Sequence, residues 1–227
     1  MPYFYLDYWY IVLVVPALLL AFWAQINVNT TFSRYAKVLA PSGMTGAESA
    51  RRVLEANGVV GVRIERISGN LTDHFDPRTN TIRLSDSVYD ATTVSAVGVA
   101  AHEAGHAVQY AVGYSPMKLR AAIIPATNIG SQLAMPLVLL GLLLSSAMLV
   151  DIGIVAFSMS TLFQLVTLPV EFNASHRAVA TLESTCVSAA EVKGAKAVLR
   201  AAALTYVAAL AVSLASLLRI ILLFGGR

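Results

Sequence analysis

From Ala121 to Val170 the chain carries a single charged residue, Asp151. A helix needs roughly 20 mostly apolar residues to cross a bilayer, so this run is too long for one span and long enough for two. It reads as a hairpin of transmembrane helices turning near Ser145–Asp151. Two more runs are long enough to span. Tyr8 to Ser33 has no charge, its apolar part ending near Ala24, and Ala201 to Gly226 holds only Arg219. Aromatic residues mark both ends of the first: Tyr3, Phe4, Tyr5, Tyr8, Trp9 and Tyr10, then Phe22 and Trp23. That is the belt pattern of a bilayer interface. Charged residues make up 13% of the chain, against roughly 25% in soluble domains. No basic residue precedes the first run and no cleavage site follows it, so it reads as a retained anchor rather than a signal peptide.

Charge sets the expected orientation. Of 16 Lys and Arg residues, all but Arg219 and Arg227 lie between Arg34 and Arg200, in the segments that four spans place on one side. The positive-inside rule puts those segments in the cytoplasm and both termini outside. The expectation is one membrane domain over residues 1–227, with spans near 4–24, 123–144, 150–170 and 202–223. The cytoplasmic segments are then about 30–120 and 171–200. A net charge of +3 suits a surface facing anionic lipid. It is too small and dispersed to suggest nucleic acid, and no nucleic-acid motif is present. Cys186 stands alone without a CxxC pattern, so it reads as a buried small apolar residue.

The first cytoplasmic segment reads as a small α+β unit. Thr45-Gly46-Ala47-Glu48 is a capping box that opens a helix, and Asn57-Gly58 closes it. Val62 to Ile67 alternates apolar and charged residues, as a half-buried strand does. Gly69-Asn70 turns the chain. Asp73–Asp76, Pro77–Asn80 and Thr81–Leu84 then read as strand, turn and strand. Pro41 to Gly43 is the one linker-like stretch. A long helix follows from about Thr92 to Val112. It lacks Leu, Ile and Phe, which suits packing against protein better than contact with lipid. As a fifth span it would also move Lys118, Arg120, Arg177, Lys193, Lys196 and Arg200 to the outside, against the positive-inside rule.

That helix carries His102-Glu103-Ala104-Gly105-His106. Residues four apart share a helix face, so both imidazoles can reach one metal ion. Glu103 is placed to act as general base. The flanks Val99-Ala100-Ala101 and Ala107-Val108 are uncharged, which suits a buried helix. A catalytic zinc usually takes three protein ligands and leaves one position open. The third must lie on the same side of the membrane, and the hairpin returns there near Val170. Glu171 stands at that return and is preferred, with Glu183, Glu191 and His176 as the other downstream candidates.

HEAGH in an Ala/Val-rich helix, followed about 65 residues later by Leu168-Pro169-Val170-Glu171-Phe172-Asn173-Ala174-Ser175 after a membrane hairpin, resembles the YugP-like neutral zinc metallopeptidases. These are integral-membrane proteins related to the HtpX-type and prenyl-protein-processing metalloproteases. The resemblance covers nearly the whole chain, including the segment from Asp73 to Tyr89. It implies a gluzincin binding one zinc per chain through His102, His106 and Glu171, with Glu103 as base. Many relatives carry Asp four residues after the ligand Glu to orient a histidine. Here that position is Ser175, which can hydrogen-bond but supplies no charge. Relatives also use a basic residue near this helix at the oxyanion, and His176 and Arg177 are the positions to consider. Helical spacing puts His176 about 140 degrees from Glu171. His74, on a strand beside the motif helix, is a further candidate for the site.

The expected fold is therefore a mainly α integral membrane protein: four transmembrane helices plus a small cytoplasmic α+β zincin-like unit. The expected function is a zinc-dependent membrane endopeptidase acting on protein or peptide substrates, membrane proteins among them. A second reading is a catalytically silent zinc-binding scaffold that partners another membrane complex. A third is a metal-dependent hydrolase of lipid or another amide. The strand Thr81, Ile82, Arg83, Leu84 runs into the motif helix through Ser85 to Asp90. It is expected to be an exposed sheet edge that binds extended substrate, an interior strand being the competing arrangement.

Overall fold

Each apolar run is helical, because hydrocarbon offers no partners for free backbone donors and acceptors. The computed structural model describes residues 7–185 and 188–224. A π-helical turn (Tyr10–Val14) leads into α1 (Val15–Tyr35), followed by α2 (Gly46–Ala56), β1 (Arg63–Ile67), β2 (His74–Asp76) and β3 (Thr81–Ser85). Then come α3 (Val94–Ala111), α4 (Ser115–Leu143), α5 (Ala147–Ser184) and α6 (Ala189–Phe224). Among the described residues four helical segments are long and apolar enough to cross a membrane: Tyr10–Tyr35, Ser115–Leu143, Ala147–Ser184 and Ala189–Phe224. The chain is thus a mainly α membrane protein with a small α+β unit. Cys186, Tyr3, Phe4, Tyr5 and Arg227 lie outside the described residues.

The chain divides into two compact units. The first comprises the described residues up to Gln25, Leu119–Leu168 and Leu204 onward. In it α4 and α5 form the expected hairpin, reversing between Leu143 and Ala147 with Ser145 at φ 54°. Small residues let the two helices approach. A Cβ on Gly130 would stand 2.8 Å from the Ala156 carbonyl oxygen, and one on Gly153 would stand 2.6 Å from Val138. This is the close packing that membrane helices use. Arg219, the lone charge of its run, donates from Nε to Asp7 Oδ2 at 2.8 Å and lies over the Tyr10 ring.

The second unit comprises Ile26–Lys118 and Pro169–Ala203. Its α2 opens on the expected capping box: Thr45 N donates to Glu48 Oε2 at 2.8 Å, and Glu48 N to Thr45 Oγ1 at 3.2 Å. The sheet has the order β1-β3-β2. β2 and β3 form the antiparallel hairpin read from the sequence, with His74 opposite Arg83 and Asp76 opposite Thr81. β1 lies parallel to β3 on its other side, Arg63 opposite Thr81 through Ile67 opposite Ser85. The expectation of an exposed edge at Thr81, Ile82, Arg83 and Leu84 is therefore wrong. β3 is the central strand, and its Thr81, Ile82, Leu84 and Ser85 are buried. Three strands leave room for only one interior position, and β1 adding in parallel fills the edge that a hairpin alone would leave open. The edges are β1 and β2.

α3 is enclosed by protein. Its Val97, Ala100, Ala101, Ala104 and Ala107 join Val53 of α2, Ile82 and Leu84 of β3 and Leu182 of α5 in one core. The small residues that argued against a lipid-facing span are what lets it pack this closely. α5 runs unbroken from Ala147 to Ser184 despite Pro169, so Glu171 sits inside a helix and has a fixed direction.

Candidate metal centre

Two helices of the second unit build the site. α3 presents His102 and His106 from one face, their rings 4.6 Å apart and nearly perpendicular. α5 presents Glu171, whose Oε2 lies 3.3 Å from His102 Nε2 and 3.6 Å from His106 Nε2. One ligand atom from each residue lies within 4.8 Å of the other two. Two neutral nitrogens and a carboxylate oxygen are a donor set that suits zinc. Burial leaves the Glu171 side chain 3% exposed, so the carboxylate is held where water competes poorly.

Gly105 makes this convergence possible. A Cβ there would stand 2.5 Å from the Ala174 carbonyl oxygen and 3.2 Å from its Cα, both backbone atoms that cannot swing aside. Glycine lets α3 touch the α5 backbone between Glu171 and Ser175. The Gly within HEAGH is thus a packing requirement as well as a motif letter.

The outward nitrogens of both rings are also held. Ser175 Oγ lies 3.1 Å from His102 Nδ1. His106 Nδ1 lies 3.0 Å from Gln109 Oε1, and Gln109 is fully buried. Gln109 Nε2 donates to the Val170 carbonyl at 2.8 Å and to Asn173 Oδ1 at 3.0 Å. A carbonyl can only accept, so the amide cannot be flipped, and Gln109 Oε1 must be the acceptor toward the ring. His106 therefore carries a proton on Nδ1 and points the lone pair of its neutral form from Nε2 toward Glu171. Asn173 Oδ1 also accepts from Arg177 Nε at 2.8 Å. Burial opposes the imidazolium form of His106. Glu171, as hydrogen-bond acceptor and charge, together with Glu103 and Gln109, outweighs it, so the His106 pKa is raised.

Glu103 is buried and has no hydrogen-bond or ion-pair partner among the described residues. The rival third ligands are elsewhere. Glu191 is buried but accepts from Ser42 N and Ser42 Oγ at 3.1 and 2.8 Å, pinning the Pro41–Gly43 stretch. Glu183 is exposed. His176 is exposed and lines, with Arg177, Asn57 and Thr181, a groove of about 500 Å³. Arg177 reaches the metal centre only through Asn173 and Gln109. His74 bonds through Nδ1 to the Thr72 carbonyl at 2.8 Å. Its neighbour Phe75 faces Tyr110 of α3, so strand alternation turns His74 the other way. Gln109 escaped the sequence reading. Its signal was a polar residue three positions after His106, on the buried side of an otherwise apolar helix.

The chain matches, over residues 10–225, the family described as "Putative neutral zinc metallopeptidase", and it belongs to that family. It is similar to the protein named "Putative membrane protease YugP" of Bacillus subtilis (strain 168). The two are 49% identical over 216 residues, covering 95% of this chain and 96% of the relative. No solved structure matches the chain.

Changes around the centre should weaken metal binding without touching a ligand. Gln109→Leu frees the His106 ring and is expected to lower zinc affinity about 10–100-fold. Gly105→Ala should act in the same direction by forcing α3 off α5. Gly98→Ala, whose new Cβ meets Ala195 at a milder 3.2 Å, should cost less. Chelator competition on the purified protein measures all three, and equal affinity in every variant would contradict this account.

Proposed function

We propose that the protein is a zinc-dependent endopeptidase of the membrane. His102, His106 and Glu171 hold one zinc, and Glu103 is the general base. The observation that carries this reading is Glu103, free of hydrogen bonds among the described residues and one helix position from His102, beside three converging ligand atoms. A scaffold that only holds metal has no use for a carboxylate beside the ligands that takes no part in the hydrogen-bond network holding them. Zinc bound there supplies Lewis acidity toward a carbonyl oxygen and toward water. Glu103 takes the proton from the attacking water and delivers it to the leaving amine. Gln109 and Ser175 hold the two imidazoles in register, while the surrounding α3 core keeps bulk water away.

The substrate is an extended peptide. Its unpaired backbone groups are met by a sheet edge, and β2 is the edge strand in contact with α3. Membrane proteins are the natural source, given the four apolar helices. The site faces the cytoplasm with both termini outside, on the strength of the Lys and Arg distribution. The domain is single, its spans and cytoplasmic segments bounded as the apolar runs bound them.

Glu103→Gln should keep stoichiometric zinc and lose cleavage of a casein-like substrate by about 10²–10⁴-fold. Equal cleavage by variant and wild type would remove Glu103 from the mechanism. Zinc retention without cleavage by either would favour the scaffold, and hydrolysis confined to a lipid panel would favour a lipid amidase. Orientation is tested by cysteine labelling after Cys186 is replaced. Reporters at Asn57 and Lys193 should both label from the cytoplasmic side, and one at Met1 from outside. Opposite faces for Asn57 and Lys193 would contradict the four-span arrangement.

A further inference from the structure

Tyr110 is the only phenyl-type ring on α3. It follows His106 by four residues and Glu103 by seven, so helical spacing stacks it on the face that carries the site. Most of α3 is buried, yet Tyr110 is 51% exposed. Its ring meets Phe75 of β2, the centroids 5.8 Å apart and the planes tilted by 57°. Phe75 lies opposite Ile82 on the side of the sheet that packs toward α3, and it is partly buried against the core. Core packing accounts for Phe75. It does not account for a large ring left half exposed next to the edge strand.

The outer edge of β2 has no strand partner among the described residues. The aromatic pair thus joins that edge to the reactive helix, about 6 Å along the axis beyond His106. A peptide that adds to β2 sends alternate side chains to the α3 side of the sheet. The first of these meets the exposed faces of Tyr110 and Phe75. An apolar side chain there removes its own surface and that of both rings from water. An acidic or small polar one would lose hydration against the two rings and gain little in return.

We propose that Phe75 and Tyr110 form a specificity subsite that selects a large apolar side chain, aromatic or long aliphatic, in a peptide bound along β2. The inference rests on the peptidase reading above and adds a substrate class to it.

The test uses binding, so it does not depend on turnover. Zinc-loaded Glu103→Gln protein in detergent is titrated with fluorescent peptides. They form a Ser/Gly-based set that differs only by one Leu or Phe moved along the chain. Fluorescence anisotropy should find one position where Leu or Phe tightens binding about tenfold or more over Ser. Adding Tyr110→Ser should reduce that preference to about threefold or less. Tyr110→Phe, which keeps the ring, should retain the preference. It also guards against misreading a folding defect, as do matched melting temperatures and zinc content. Peptides that bind without an apolar preference, or with one indifferent to Tyr110→Ser, would overturn the subsite and leave the peptidase reading standing. If no peptide binds to any variant, the subsite and the peptidase reading fall together.

Discussion

The site depends on one contact: the α3 backbone at Gly105 against the α5 backbone at Ala174. Everything that could hold a metal is divided between these helices, which are far apart in sequence. A Cβ at Gly105 would press on the Ala174 backbone and push α3 off α5, drawing the imidazoles away from the carboxylate. Glycine removes the only atom that keeps the backbones apart. The closeness then allows a second layer, because residues flanking Ala174 reach the motif helix as well. Ser175 meets His102, while Asn173 and the Val170 carbonyl meet Gln109.

The same closeness carries a cost in buried polar groups. Glu103, His106, Gln109 and Glu171 all lie in or against an alanine-rich core, where an unpaired polar atom costs several kcal/mol by typical transfer values of about 2–7. Most are satisfied within the cluster. Gln109 uses both ends of its amide, and the direction of its bonds fixes which nitrogen of His106 faces inward. Glu103 is the exception. Its carboxylate is the one acid of the cluster that neither bonds within it nor is sealed from solvent, which leaves it free for chemistry. Family membership and the similarity to a protein named as a bacterial membrane protease agree with that reading.

Much of this was legible in the sequence because the signals are local or topological. The capping box at Thr45, the β2–β3 hairpin and the uncharged runs each announce an element from a few residues. His102 and His106 announce themselves by spacing alone. Glu171 required an argument about where the chain re-enters the same side of the membrane, and that argument left Glu183, Glu191 and His176 open. Sheet order was not legible. Turn residues around Pro77–Asn80 mark the hairpin, but nothing shows that β1 adds on the far side of β3 and buries four of the five residues Thr81–Ser85, since nothing local encodes a parallel pairing across an intervening strand. Gln109 was not legible because its importance comes from Val170 and Asn173, which approach only when α5 packs on α3. Gly105 was visible as a letter of the motif, but the carbonyl it accommodates was not.

The central claim is that a motif helix and a distant carboxylate share one metal. X-ray absorption spectroscopy of the zinc-loaded protein tests it most directly, because it reads the donor atoms themselves. Two imidazole nitrogens and a carboxylate oxygen are expected around the zinc, with no sulfur, and the carboxylate contribution should be lost in Glu171→Ala. A sulfur donor, or a donor set unchanged by Glu171→Ala, would contradict the claim.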